Sequence, residues 1–321
     1  MDRFKVRLGY CCINLSLADQ KVTANRGMVK KTFEQKGAPY AGELAYLNLC
    51  DLLTILKWNV DNEIKVYRMS SDIFPWMSEY EITDLPNFYQ IQSKLEEIGE
   101  FVIDSGIRVS MHPGQFDVLC SPSPAVVTKT IKDLNQHAEI MDLMGLPVDH
   151  RFPVNIHLGG AYGDRESAAD RFCENFKLLS NSAQRRLVVE NDDKAAQYSV
   201  VDLYLMVYKK IGTPITFDYH HHRFNTGNLA EDEAFRLAYS TWDCTPLFHY
   251  SSCRKTFEDP SVIARSHADY VYEKIKTYDH NIDIEVEAKA KDLAVLQYEK
   301  NWTTLLEQYL PFDAEMELLE K

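Results

Sequence analysis

The chain contains no run of about 18 apolar residues, so no membrane-spanning helix is expected. It also lacks any Cys-x-x-Cys pair. Its seven cysteines, an odd number, read as reduced thiols rather than as a disulfide framework. No apolar core stands near the N-terminus, where MDRFKVRLGY enters a strand pattern at once; a secretory signal is not expected, and a cytoplasmic location is. There is no second domain boundary, low-complexity stretch or short repeat. The 321 residues are 45% hydrophobic and 26% charged, which suits one large α/β domain over 1–321, with an extra helical tail from about 289. Positive charge is scarce, and a net charge of −13 argues at face value against a nucleic-acid partner. Two or three bound divalent ions would add roughly four to six positive charges where such a partner sits. The acid is also uneven. Asp313, Glu315, Glu317 and Glu320 crowd the tail, whereas segment 21–37 carries Lys21, Arg26, Lys30, Lys31 and Lys36 against Glu34 alone.

What the chain does have is a set of short apolar runs that end in metal-type ligands. They are RVSMH (His112), PVNIH (His157), RLVVE (Glu190), PITFDYHH (Asp218 and His221), PLFH (His249) and IDIEVE (Glu287). A buried strand normally stops at a turn residue, not at an imidazole or a carboxylate. With VRLGYCCIN and IKVYRMSS added, eight strand–helix rounds can be counted. The shortest spacing between strand-end polar residues, Glu190 to Asp218, is 28 residues, close to the length of a βα unit. This predicts a TIM (β/α)8 barrel whose ligands converge at the C-terminal mouth. Residues 41–60, 87–106, 123–145, 199–212 and 260–276 are among the expected helices, and Ser123–Pro124 reads as a cap followed by a first-turn proline.

Imidazole and carboxylate suit Zn²⁺, Mn²⁺ or Fe²⁺. Asp218 and His221, spaced i and i+3 at a strand end, can face one ion or two adjacent ones, and Glu190 and Glu287 can bridge. A cluster of ions polarises a phosphoryl group, lowers the pKa of water and stabilises entering and leaving oxygens, a combination suited to phosphodiester hydrolysis.

The motifs S-M-H-P-G-Q, H-L-G-G-A-Y-G, L-V-V-E-N-D, D-x-x-H-H and V-E-A-K, with the N-terminal R-L-G-Y-x-C-x-N, resemble those of the UV damage endonucleases. The likeness runs from about Arg7 to Lys291. It implies a metal-dependent DNA repair endonuclease that nicks the backbone immediately 5′ to UV photoproducts and leaves a 3′-hydroxyl. The implied cofactors are two to three divalent ions, manganese first, with zinc or magnesium as alternatives. The implied ligands are His112, His157, Glu190, Asp218, His221, His249, His267 and Glu287, with Glu190, Glu287 and His249 at the catalytic centre. Gln115 and Phe116 would enter the duplex at the lesion, where a weakly stacked photoproduct is cheaper to open. Tyr10 and Asn14 would lie near the lesion. His222 is a candidate to support a ligand from behind or to contact a phosphate. Lys289, Arg223 and Lys255 are phosphate contacts suggested by position alone. The implied partner is damaged double-stranded DNA, with no membrane and no obligate protein partner. One departure stands out: some relatives carry a modified lysine two residues before the strand-7 histidine, and here that place is Leu247. Two rivals follow, a xylose-isomerase-like sugar isomerase or epimerase and a damaged-DNA-binding protein that does not cut.

Overall fold

The structure, a computed structural model, describes residues 6–309. Eight strands form one parallel sheet: β1 (Val6–Cys11), β2 (Val66–Met69), β3 (Arg108–Met111), β4 (Val154–His157), β5 (Leu187–Glu190), β6 (Ile215–Thr216), β7 (Leu247–Tyr250) and β8 (Ile282–Val286). Their order is β6-β5-β4-β3-β2-β1-β8-β7. The remaining gap is bridged by Asp218 beside His249 and by the His249 N–H donating to Phe217 O at 3.0 Å, so the sheet nearly closes. The TIM-barrel expectation therefore holds. Ladder pairing fixes which strand-end ligands are neighbours: His157 is in register with Glu190, and His249 with Glu285.

Between the strands run α1 (Lys30–Asp61), α2 (Phe88–Ser105), α3 (Pro124–Leu143), α4 (Arg165–Phe176), α5 (Asn181–Arg186), α6 (Val200–Leu203), α7 (Lys209–Ile211), α8 (Tyr219–His222), α9 (Glu231–Tyr239), α10 (Arg254–Phe257) and α11 (Lys291–Tyr309). Ser123 and Pro124 stand at the start of α3 as expected. In α1 the basic segment joins the helix, but Gly37 at φ +65°, two residues before Pro39, breaks it into two pieces. Leu52, Leu49, Ile98 and Leu134 from α1 to α3 are fully buried against the sheet, which gives the usual layer of apolar packing between strands and helices. The tail residues Asp313, Glu315, Glu317 and Glu320 lie outside the described residues. The seven cysteines are free thiols, and no described helix is long and apolar enough to cross a membrane.

The expected helix over 260–276 is not there. Past the one turn of α10, the chain crosses the mouth as irregular backbone. Part of its backbone pairs with strand-end loops and not within the segment. Arg254 N–H donates to Ser266 O at 2.8 Å, Ala268 N–H to Ser252 O at 2.9 Å, and Lys289 N–H to Ala268 O at 3.1 Å. Val271 and Ile275 of this loop are buried. Hydrogen bonds to distant groups take the place of part of a helical ladder, so local propensity is overridden.

Candidate metal centre

The inward-facing positions of the strands carry charge in two layers. Nearer the bottom, Asp283 takes Arg7 Nη2 at 2.5 Å and Arg108 Nη1 at 2.9 Å. One pleat higher, Arg68 donates to Glu285 Oε2 at 2.6 Å and to Glu287 Oε1 at 2.7 Å, and its Nη2 lies 2.8 Å from His249 Nε2. Ser110 Oγ donates to Glu285 as well. Leu247 is buried and in register with Asp283, below the mouth. A leucine there cannot act as a ligand.

Above this floor, Glu190 is the hub. Its carboxylate is 1% exposed. Oε2 lies 3.1 Å from both His112 Nε2 and His249 Nδ1, and accepts from Asn155 Nδ2 at 2.5 Å. Oε1 lies 3.1 Å from His221 Nδ1 and 3.8 Å from His157 Nε2. Asp192 Oδ1 stands 3.1 Å from His157 Nδ1, and Asp218 caps α8 by accepting from the His221 N–H at 2.7 Å. Three groups bring ligand atoms within 4.8 Å of one another: His112–His157–Glu190, Glu190–Asp218–His221 and Asp218–His249–Glu287. His267 arrives on the irregular mouth loop. Its Nδ1 is 3.1 Å from Glu287 O and 3.7 Å from Glu287 Oε2, so it borders the cluster from the side.

The donor set fits divalent cations. Asp218 Oδ2 is buried with no hydrogen-bond partner, yet its carboxylate belongs to two of these groups. Native interiors rarely leave such atoms unpaired unless water or an ion meets them. The electrostatics agree. Burial alone would raise the Glu190 carboxyl, but the surrounding imidazoles, His249 and His157 first, hold it well below the ordinary range. Burial disfavours charge on His157 and His221 too; Glu190 and Asp192 nevertheless lift the former to about 9, and Asp218 and Glu190 lift the latter to about 11. Without cations, protons are the positive charge that balances these carboxylates.

Other expected site residues divide sharply. Gln115 and Phe116 stand on the loop after β3 and are exposed, Phe116 at 81%. Gln115 borders an opening of about 450 Å³ lined by His112, His157, His221, Asp192 and Lys194, among others. Gly159, at φ +105°, lets the loop after β4 pass close to Val118 behind the wedge; any Cβ there would meet Val118 at 2.5 Å. Tyr10 and Asn14 do not reach the mouth. Tyr10 is wholly buried on the outer face of β1, its hydroxyl donating to Asn59 Oδ1 at 2.7 Å and accepting from Asn14 Nδ2 at 2.8 Å. Asn14 also accepts the Leu17 N–H at 2.8 Å, so both side chains are spent on holding the β1 loop. The strand pleat is the reason: Tyr10 has the opposite parity to the inward Arg7, Gly9 and Cys11.

His220 is fully buried with Nε2 3.2 Å from Arg265 O. His222 is buried against Phe217, not in the mouth. Arg223 is paired with Glu273 at 2.8 Å, and Arg26 with Asp51 at 2.6 Å, whereas Lys255 and Lys289 are exposed. Sequence reasoning missed Arg68, Asn155, Asp192 and Glu285. A signal for Glu285 was available: in IDIEVE, Asp283, Glu285 and Glu287 alternate along a strand too apolar on its other face to be exposed.

Comparison with known proteins bears on what this centre serves. A family profile described as UV-endonuclease UvdE matches residues 6–311. A UV DNA damage endonuclease of Clostridium perfringens is 34% identical over 91% of this chain and 69% of its own length. That of Bacillus mycoides is 36% identical over 84% of each chain. The UV-damage endonuclease of Schizosaccharomyces pombe is 34% identical over 91% of this chain, which spans half of that protein. Among solved structures, SacUVDE superposes with a TM-score of 0.82 at 29% identity, covering 94% of this chain and 99% of that one. Thermus thermophilus endonuclease IV (TM-score 0.52, 12% identity, 93% of this chain and 99% of that one) shares the fold. So does a Clostridium cellulolyticum D-psicose 3-epimerase (TM-score 0.52, 12% identity, 74% and 79%).

Proposed function

The chain belongs to the UvdE family of UV-endonucleases, and on that premise we propose that it is a metal-dependent DNA repair enzyme that cuts the backbone immediately 5′ to a UV photoproduct and leaves a 3′-hydroxyl. The observation that carries this reading is a juxtaposition. An exposed Phe116 and Gln115 follow His112 by only a few residues, and His112 touches the buried Glu190 hub. Lesion contact and bond cleavage are thus brought together at one strand end. The sugar epimerases share the barrel, but at 12% identity they speak only for the fold.

In this reading Glu190, Glu287, His112, His157, Asp218, His221, His249 and His267 would hold two to three ions, with Mn²⁺ as the first choice. Ions so held would supply Lewis-acid polarisation of the scissile phosphate and activation of water as the nucleophile. The chain's own residues do the rest. Asn155 fixes the Glu190 carboxylate by donating to Oε2. Arg68 holds Glu287 from below by Oε1, and the other oxygen lies 3.7 Å from His267 Nδ1. Phe116 wedges into the gap left by the poorly stacked lesion, and Gln115 faces the bases beside it. Lys194 on the mouth wall and the exposed Lys289 and Lys255 meet phosphates. Tyr10 and Asn14 act at one remove, by shaping the β1 loop. The chain works as one domain over 1–321, in the cytoplasm, on damaged duplex and without an obligate protein partner.

The test is a 5′-labelled duplex with one photoproduct, incubated with the protein and Mn²⁺. A single nick directly 5′ to the lesion, with an end that a polymerase extends, is the expected product. An intact duplex in the presence of metal-loaded protein refutes the reading. Binding without a nick assigns the chain to damage recognition alone.

A further inference from the structure

We propose that Asp117 is a positioning residue that sets the Gln115–Phe116 wedge against α3 by sharing one proton with Asp133, and that this makes engagement of damaged duplex sensitive to pH. The inference rests on the reading above that the wedge enters DNA.

Asp117 directly follows Phe116. Its N–H donates to Gly114 O at 3.0 Å and closes the turn that carries the wedge. The next residue, Val118, donates its N–H to Thr130 Oγ1 on α3 at 3.1 Å. Thr130 and Asp133 lie three residues apart on one helix face, and there the Asp117 and Asp133 carboxyls meet in a hydrogen bond. Asp133 is also 3.2 Å from His137 Nδ1, one turn further along. His137 is 1% exposed and its Nε2 has no partner, so this side of the cluster is sealed from solvent.

Two touching carboxylates do not both ionise readily; one shared proton turns repulsion into a hydrogen bond. Burial, then Asp133, pushes the Asp117 carboxyl up to about 7. Burial would raise Asp133 as well, but His137 holds it below its ordinary value, so the proton resides on Asp117. The charged groups facing Asp117 from α3 are Asp133 and His137. Across the same opening stand Asp192, Asp193 and Lys194, with His112, His157 and His221 on its floor. Loss of the proton has two effects of one sign. The hydrogen bond that ties the wedge loop to α3 becomes a like-charge contact, and an anion appears beside the residues that meet the phosphate backbone. The neutral form prevails below about pH 7 and is lost above it. Binding that favours the neutral form therefore weakens as pH rises.

The experiment uses metal-loaded protein and a duplex with one photoproduct and a phosphorothioate on its 5′ side to hold cleavage back. Affinity is read by fluorescence anisotropy for wild type against Asp117→Asn, so that titration of the metal centre cancels. From about pH 6 to about pH 8, wild type should lose roughly ten-fold in affinity relative to Asp117→Asn, as expected for one proton step. Asp133→Ala, which leaves Asp117 without its partner, should bind at the weaker level across the range. Hydrogen exchange over residues 113–120 in the protein alone, corrected for intrinsic pH dependence, should rise over the same span in wild type and not in Asp117→Asn. An equal pH step in wild type and Asp117→Asn, or exchange that is flat in both, overturns the proposal. If no variant binds damaged duplex at any pH, the functional reading fails, and exchange over 113–120 still decides the role of Asp117.

Discussion

Replacing Arg68 by Met isolates what the buried floor contributes. Arg68 is 8% exposed and lies within 2.6–2.7 Å of two carboxylates, Glu285 and Glu287, themselves buried or nearly so. Methionine fills similar volume but leaves both acids without their cation. Breaking a buried ion pair by removing one partner costs about 3–5 kcal/mol, because the remaining charge stays desolvated. At ~2 °C per kcal/mol for a domain of this size, that corresponds to a fall of roughly 6–10 °C in Tm. The pH dependence has a definite sign. Burial would raise Glu285 and Glu287, but Arg68, and then His249, hold both below the ordinary value of 4.5. The stability gained from these pairs is therefore fully present above about pH 4.5 and is lost as pH falls toward the folded values. The gap between wild type and Arg68→Met should be largest near neutral pH and shrink on acidification. Divalent ions, supplying the missing positive charge, should stabilise the variant more than they stabilise wild type. Thermal melts of the chelator-treated proteins at two pH values, repeated with Mn²⁺, read all three effects. An Arg68→Met protein that melts at the wild-type temperature near pH 7 without metal would refute the assignment of Arg68 as the charge that neutralises the floor.

Phe116→Ala should weaken binding of a photoproduct duplex by about 1–3 kcal/mol, the usual value of one aromatic–base stack, with metal content and Tm unchanged because the ring is 81% exposed. Competition with undamaged duplex checks that the loss is specific to the lesion. Glu190→Gln should lower the number of bound ions measured by elemental analysis and, through loss of several kcal/mol of charge stabilisation, slow cleavage on the order of 10³-fold. Mn²⁺ affinity should rise with pH. In the metal-free protein His157 and His221 hold protons up to about 9 and about 11, and a bound ion displaces them. Calorimetry in buffers of different ionisation enthalpy at pH 7 should show net proton release, and a result of none would contradict that balance.

The eight-fold alternation of strand and helix was legible because parity and spacing survive without coordinates: a ligand that ends an apolar run stays at a strand end in any parallel barrel. For the same reason His112, His157, Glu190, Asp218, His249 and Glu287 were identifiable one by one. Tyr10 was not, since a strand-end tyrosine looks the same whether it faces the mouth or the helices, and only the register of β1 against β2 and β8 decides. The helix expected at 260–276 failed for a related reason. Apolar periodicity records which residues are buried, not whether their amides pair locally or with distant loops, and here Ser252 and Ala268 took those bonds.

By itself, then, the sequence determined the barrel and the strand ends that bear imidazole or carboxylate, because these depend on local pattern. The tertiary structure decided which oxygens and nitrogens meet. It put Glu190 between four imidazoles, Arg68 beneath Glu285 and Glu287, His267 beside Glu287 on a loop instead of a helix, and Asp117 against Asp133 under the wedge. Contacts of that kind join residues far apart in the chain, and only closure of the sheet brings them within the few ångströms at which charge and hydrogen bonding act.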